Sequence, residues 1–282
     1  MREAETGSEA GTQPDAGQPV KMVRPGPAHF CIGPAGPIDR RLVSMLAPNS
    51  FEAEQYRALR HVVEERRSEL AVIAVSSAAP GEGKTTTAIN LAAALAQSAE
   101  SRVLLVDADL RVPSAGRLLG LGDFLPGLAE AVREPGADLE DFVMRCSPSR
   151  LSFLPAGRIH DNPYDVLKSP RIGEIVQAAR RRYDTVVIDT PPIVPVPDSR
   201  VLAKWVDGFL LVVAAHRTPR HLVEEALHLL SHAKVAGIVF NGDDRPSSAY
   251  YGYYYGYDRP RGDGRYQAGE RPAGRKVAAL WR

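Results

Sequence analysis

The sequence predicts an α/β fold: a mostly parallel β-sheet with helices on both faces, flanked by a disordered N-terminal arm and a flexible, tyrosine-rich C-terminal tail. Three observations predict it. Short β-branched runs alternate with helical stretches from Leu70 to Asn241, the pattern of strands joined by crossover helices. Several of these runs are apolar at every position, as strands covered on both faces must be. A glycine loop lies directly between the first run and the helix that follows it, the place where open parallel sheets bind ligands.

The 282 residues leave room for one large domain or two small ones, and 44% hydrophobic content is ordinary for a globular chain. Thirty-five Lys+Arg against thirty-four Asp+Glu give a net charge of +1, which removes any whole-molecule argument for nucleic acid or an acidic polymer as partner. The longest apolar run, Phe209 to Ala215, has seven residues, well short of the roughly 18 to 20 that a spanning helix needs. The opening Met1 to Ser8 is polar with no apolar stretch behind it, so a signal peptide is not expected. Two cysteines, Cys31 and Cys146, are too few for a disulfide framework or a metal cluster and fit a reducing cytosol.

Residues 1–48 contain seven Pro and six Gly, a composition that does not support a packed core, and read as the disordered arm. From Asn49 to Leu70 an exposed amphipathic helix is expected. Asn49 can cap it with Glu52 three residues on, and Leu59, Val62, Val63 and Leu70 supply the apolar stripe. Strands are placed at Ala71–Ser76, Arg102–Asp107, Leu151–Leu154, Thr185–Asp189, Phe209–Ala214 and Val235–Phe240. Helices are placed between them at Thr85–Gln97, Leu128–Arg133, Pro170–Arg182, Ser199–Lys204 and Pro219–Ala233. The domain thus runs over 49–242, and 243–282 form the tail.

The strand–loop–helix at Ser77-Ala-Ala-Pro-Gly-Glu-Gly-Lys-Thr85 carries the chemistry. Backbone N–H groups across Pro80, Gly81, Glu82, Gly83 and Lys84 (Pro80 itself lacking one) can line a concavity that runs on to Thr85 and Thr86. The helix N-terminus beneath adds about half a positive charge. A polyphosphate fits there, with Lys84 on the β- and γ-phosphates and the Thr85 hydroxyl on Mg²⁺. The usual first glycine of such a loop falls at Ala78. Together with the sheet pattern this makes the fold class that of the P-loop NTPases.

Two later strands end in carboxylates: Val103-Leu-Leu-Val-Asp107-Ala-Asp109-Leu-Arg111, and Val186-Val-Ile-Asp189-Thr-Pro-Pro192. Three acids then converge on one phosphate pocket. A hydrolytic enzyme needs one such acid for the metal shell; the additional pair leaves one free to take a proton from a hydroxyl nucleophile. The plainer alternative is that Asp107 and Asp109 only cap a loop, although adjacent buried carboxylates repel unless a cation is present.

These segments, together with the terminal tyrosines, resemble the bacterial tyrosine kinases of capsule and exopolysaccharide export, over about residues 40 to 257. The resemblance implies Walker A, A′ and B motifs in the three segments and ATP with Mg²⁺ as cofactors. It assigns Lys84 to phosphate, Thr85 and Asp107 to Mg²⁺, Asp189 to the metal's water shell and Asp109 to the role of base. It makes Tyr250, Tyr251, Tyr253, Tyr254, Tyr255, Tyr257 and Tyr266 the autophosphorylation cluster. Glu54, Arg57 and Arg60, in the spacing Glu-x-x-Arg-x-x-Arg, imply packing of the 49–70 helix against neighbours in a homo-oligomeric ring. Asn241, ending the last strand, looks like the family's base-side asparagine. Because the membrane-spanning half found in some members is lacking, the resemblance is to the stand-alone form. That form implies a membrane co-polymerase or adaptor that recruits and activates the kinase at the inner face of the plasma membrane, a cognate phosphatase, a cytoplasmic location, and no nucleic acid. Val112 departs from the family, which often has a second arginine there, and the basic extension after Tyr257 is longer than usual.

If the last strand is parallel to the first, the tail begins beside the phosphate loop, and about 12 flexible residues span roughly 20 Å, enough to reach this pocket or a neighbour's. Aromatic and glycine tracts also self-associate without chemistry. His228 and His232 could bind a metal at i,i+4, but with His221, Glu224 and Glu225 they read as the solvated face of a helix. The last 25 residues carry +4 and could favour anionic lipid or simply be solvated. Two rival functions stay open: a membrane- or DNA-positioning ATPase switch resembling the MinD/ParA group, whose signature lysine would stand at Ala79, and a catalytically silent nucleotide-bound scaffold.

Overall fold

The structure, a computed structural model, describes residues 28–30, 36–122, 125–146, 149–230, 234–243 and 276–281. The strands are β1 (Ala28–Phe30), β2 (Val72–Ser77), β3 (Val103–Asp107), β4 (Met144–Cys146), β5 (Leu151–Leu154), β6 (Thr185–Asp189), β7 (Gly208–Ala214), β8 (Val235–Asp243) and β9 (Lys276–Trp281). The helices are α1 (Val43–Leu46), α2 (Phe51–Glu65), α3 (Lys84–Leu95), α4 (Ala115–Leu118), α5 (Leu128–Arg133), α6 (Pro163–Lys168), α7 (Pro170–Arg182), α8 (Asp198–Leu202) and α9 (Arg220–Leu230). The strands form one sheet in the order β1-β4-β5-β3-β6-β2-β7-β8-β9. Every ladder is parallel except β4 on β5 and β9 on β8.

β2, β3, β6 and β7 are buried at every position, and their alternate residues feed two cores on opposite sides of the sheet. Val72, Ala74, Leu104, Val106, Val186, Ile188, Phe209 and Leu211 face one side, with Leu128, Ile172, Ile175, Leu202 and Ala226 from α5, α7, α8 and α9. Ile73, Val75, Val103, Leu105, Val187, Leu210 and Val212 face the other, with Tyr56, Leu59 and Val63 of α2 and the alanine-rich α3. Helices on both faces follow directly from that alternation.

Several expectations are corrected. Helix α2 is shorter than 49–70 and its cap is Ser50, not Asn49: the Ser50 hydroxyl accepts the Ala53 N–H at 3.2 Å. A cap must sit immediately before the first helical residue, and Asn49 is one position too early. Leu70 belongs to no helical stripe but is buried at the entry to β2, after a turn. Replacing Ser50 by Ala should cost about 1 kcal/mol, read as a lower midpoint in denaturant unfolding.

Residues 36–48, assigned to the arm, pack on the domain. Leu42 is fully buried, and Asn90 of α3 accepts the Ser44 N–H at 2.9 Å and donates to the Arg41 carbonyl at 2.9 Å. A proline and glycine count averaged over 48 residues hides this short apolar stretch. Residues 276–281, assigned to a flexible tail, add to β8 as an antiparallel edge strand. Strands β1 and β4 and helices α1, α4 and α6 were not anticipated, because three to six residues are too few to display a period. Of α9, His221, Glu224, Glu225 and His228 are exposed while Ala226 and Leu230 are buried, as the solvated-face reading requires. His232 lies outside the described residues. No helix is long and apolar enough to cross a membrane.

Candidate active site

The site sits at the C-terminal ends of β2, β3 and β6, the three central strands. Between β2 and α3 the loop turns on two glycines in the left-handed region, Gly81 at φ +78° and Gly83 at φ +93°, conformations that cost a side chain about 1–2 kcal/mol. Pro80 and Gly81 are exposed at the crest, while Lys84 and Thr85 are buried at the first turn of α3, with Thr86 half-buried behind them. Glu82 folds back and is itself buried. Its Oε2 accepts the Ala79 N–H at 3.0 Å, and its Oε1 accepts the Thr218 hydroxyl from the β7–α9 connection. The Glu82 carbonyl accepts Nδ2 of Asn241 at 2.9 Å. The loop is thereby held in shape from three sides. A Cβ at Gly83 would collide with that Asn241 amide. Gly83→Ala should therefore lower the melting temperature and weaken nucleotide binding together, which melting curves and an ADP titration would measure.

The three predicted acids converge, and on one cation. Lys84 Nζ lies 2.6 Å from Asp109 Oδ2 and 3.9 Å from Asp189 Oδ1, and Asp107 and Asp189 are register partners on β3 and β6. Asp107 is shaped by its own backbone: Oδ1 accepts the Asp109 N–H at 3.2 Å, and Oδ2 accepts those of Ser114 and Ala115 at 3.2 and 3.1 Å. Asp109 Oδ1 accepts the Val112 N–H at 3.1 Å. The Ser114 hydroxyl donates to that of Thr85 at 3.2 Å.

Electrostatics in this pocket are unbalanced. Asp107, Asp109 and Asp189 are at most 3% exposed, and three carboxylates face one ammonium. Burial, reinforced by the facing Asp189, pushes Asp107 well above the ordinary carboxylate range. Burial also raises Asp189, against the pull of Lys84. Lys84 is held protonated, above its ordinary value, because Asp189 and Asp109 outweigh its desolvation. Both Asp189 oxygens are buried without a hydrogen bond of good geometry among the described residues, and only the Lys84 ammonium and the adjacent Thr85 hydroxyl favour their charge. Orphaned carboxylate oxygens beside a buried threonine hydroxyl and a second carboxylate are the donor set of a hard divalent cation such as Mg²⁺, so the residues fit one.

Two residues at this site carried no local signal in the sequence. Thr218 reaches Glu82 from 136 positions away, and Asp198 receives Nε and Nη2 of Arg111 at 2.7 and 2.9 Å. A proline after Thr218 marked only the start of a helix.

The other expected residues lie apart. Glu54, Arg57 and Arg60 are on α2, away from the pocket. Glu54 pairs with Arg57, and Arg60 is committed within the chain, to Glu64 at 2.8 Å and to the Ala94 carbonyl of α3 at 3.0 Å. Tyr250, Tyr251, Tyr253, Tyr254, Tyr255, Tyr257 and Tyr266 lie outside the described residues. β8 is parallel to β7, which is parallel to β2, so β8 ends at the sheet edge that carries the phosphate loop.

Residues 73–247 match the model of the CobQ/CobB/MinD/ParA nucleotide binding domain. Tyrosine-protein kinase YwqD of Bacillus subtilis is 34% identical over 221 residues, covering 77% of this chain and 92% of YwqD. The succinoglycan biosynthesis transport protein ExoP of Rhizobium meliloti is 34% identical over 76% of this chain, though that stretch is only 28% of ExoP. Among solved structures, the VpsO kinase domain is 34% identical, with a TM-score of 0.62 over 66% of this chain and 92% of that one. A parallel sheet with a glycine loop on its first central strand, acids ending the next two, and these relatives across most of its length make this chain a member of the bacterial tyrosine kinase family.

Proposed function

We propose that this protein is a protein-tyrosine kinase that transfers the γ-phosphoryl group of ATP to tyrosine hydroxyls, its own cluster at Tyr250–Tyr257 and Tyr266 first. The observation that carries the reading is Asp109: a third carboxylate in the pocket, buried against Lys84 and not enclosed by backbone donors as Asp107 is. Holding the metal does not require it, and it is placed to take a proton from an attacking hydroxyl.

The loop N–H groups and Lys84 bind the phosphates, and Thr85, Asp107 and Asp189 would hold Mg²⁺, which supplies neutralisation of phosphate charge when bound. Asn241 pins the loop and borders the space for the base. Asp109 accepts the phenol proton as the tyrosine oxygen forms its bond to phosphorus and the bond to the ADP oxygen breaks. A phenol has a pKa near 10 and needs such a base at neutral pH. Lys84 also imposes an order. Without nucleotide its ammonium occupies Asp109, and phosphates that draw it away leave Asp109 free, so ATP binds before the acceptor.

The names of YwqD and ExoP support a role in exopolysaccharide or capsule polymerisation and export. With it come recruitment from the cytoplasm to a membrane adaptor, a ring assembled through the outer face of α2 with Glu54 and Arg57, and reversal by a phosphatase. The switch-ATPase alternative finds no support at Ala79, which stands where the signature lysine belongs and gives its N–H to Glu82.

The test is to incubate the full chain with Mg²⁺-ATP and the cytoplasmic segment of a membrane partner, then map phosphotyrosine by mass spectrometry. Phosphate should appear in the 250–266 cluster and vanish in Lys84→Met. No phosphotyrosine in the wild type, or its survival in Lys84→Met, would refute the reading.

A further inference from the structure

We propose that Asp198 is a positioning residue for phosphoryl transfer: through its two-pronged grip on Arg111 it fixes the turn that presents Asp109 to the acceptor. The proposal rests on the reading of Asp109 as base. Residues 109–112 form a tight turn closed by one local bond, Val112 N–H to Asp109 Oδ1 at 3.1 Å. The other bond on this buried carboxylate, Lys84 to Oδ2 at 2.6 Å, is the one that phosphates would draw away, which leaves the single local bond. The second restraint comes from outside the turn, where Arg111 donates from Nε to Asp198 Oδ2 at 2.7 Å and from Nη2 to Oδ1 at 2.9 Å. Two parallel charge-assisted bonds set the plane as well as the distance of the guanidinium, which a lysine cannot do.

Asp198 is itself immobilised. It is fully buried at the start of α8, and its neighbour Ser199 donates to the Pro191 carbonyl, which also accepts the Ser76 hydroxyl of β2 at 2.7 Å. Between these points the chain is laced to the strand entering the phosphate loop, Ile193 N–H to the Ser77 carbonyl at 2.8 Å. The bonds therefore form a circuit, from β2 through Pro191, Ser199 and Asp198 to Arg111, then through the turn to Asp109 and back to the loop at Lys84. Displacement of the turn by a fraction of an ångström would move the base relative to the phosphates. Asp198 is fully buried but Arg111 is exposed, and an ion pair open to solvent on one side adds little net stability, so what this pair contributes is geometry. Near-attack positioning is sensitive enough for that to matter, since about 1 Å can cost about 100-fold in rate.

The experiment compares wild type with Asp198→Asn, Asp109→Asn and both together, and with the apolar pair Arg111→Met plus Asp198→Leu. Asp198→Asn should lower kcat for transfer about 10- to 100-fold while the Kd for Mg²⁺-ADP changes by less than about threefold, since the phosphate ligands are untouched. The Val112 amide should exchange with deuterium at least about tenfold faster. The double variant should be no slower than Asp109→Asn alone, because both act through one group. The apolar pair should recover the melting temperature without recovering kcat. Wild-type kcat in Asp198→Asn, additive losses in the double variant, or kcat returning together with melting temperature would each overturn the proposal. The Val112 exchange rate is read without any transfer. If no chain phosphorylates, the kinase reading falls alone, and unchanged Val112 exchange would sink the positioning role separately.

Discussion

Lys84→Met is expected to reduce phosphoryl transfer by on the order of 10³-fold and to weaken Mg²⁺-nucleotide binding severely. Methionine keeps the length and most of the volume of the side chain but removes the one ammonium that faces Asp109 and Asp189. Asp107 and Asp189 already sit above the ordinary carboxylate range through burial, and without Lys84 the cluster loses the buried ammonium that would offset a triphosphate. The proposed order is lost as well, because the ammonium that binds phosphate is also the one that occupies Asp109 until nucleotide arrives. Calorimetric titration with ADP and quantitative phosphotyrosine mapping measure the two losses, and a melting curve establishes that the variant is folded. Tight nucleotide binding in this variant would remove Lys84 from the phosphate site.

Asp109→Asn should separate the two steps. Losing a general base costs typically 10²- to 10⁴-fold in rate, and kcat should fall in that range. Nucleotide affinity should hold or tighten, since one of three facing negative charges is gone while Lys84, Thr85, Asp107 and Asp189 remain. The split between kcat and Kd is the decisive readout. Equal losses in both would make Asp109 a ligand of the metal rather than the acceptor of the phenol proton.

Much of this site was legible before any coordinates. Gly-Lys-Thr between a buried strand and a helix has one common structural meaning, because glycine adopts without penalty the positive φ values found at Gly81 and Gly83. Carboxylates ending all-apolar runs are placed by topology at the ligand edge of a parallel sheet. The strand cores at 151–154 and 185–189 and the helices at 128–133 and 170–182 were placed to the residue, since burial on two faces and a 3.6-residue period are local properties. The misses were of another kind. Short elements such as β4 and α4 have no period to read, and the ordered stretch from Leu42 to Ala47 was masked by the composition around it.

What the sequence determined by itself was the class of fold, the phosphate loop and the identity of the acids, because each is encoded by neighbours in the chain. What only the tertiary structure decided was who those residues touch. Lys84 spends its charge on Asp109, Glu82 is held by Thr218 and Asn241, and Arg111 is gripped by Asp198 from 87 positions away. Those contacts depend on how the sheet orders its strands, with β2 between β6 and β7 and β3 on the far side of β6. Pairing order joins residues distant in the chain, and no local spacing carries it.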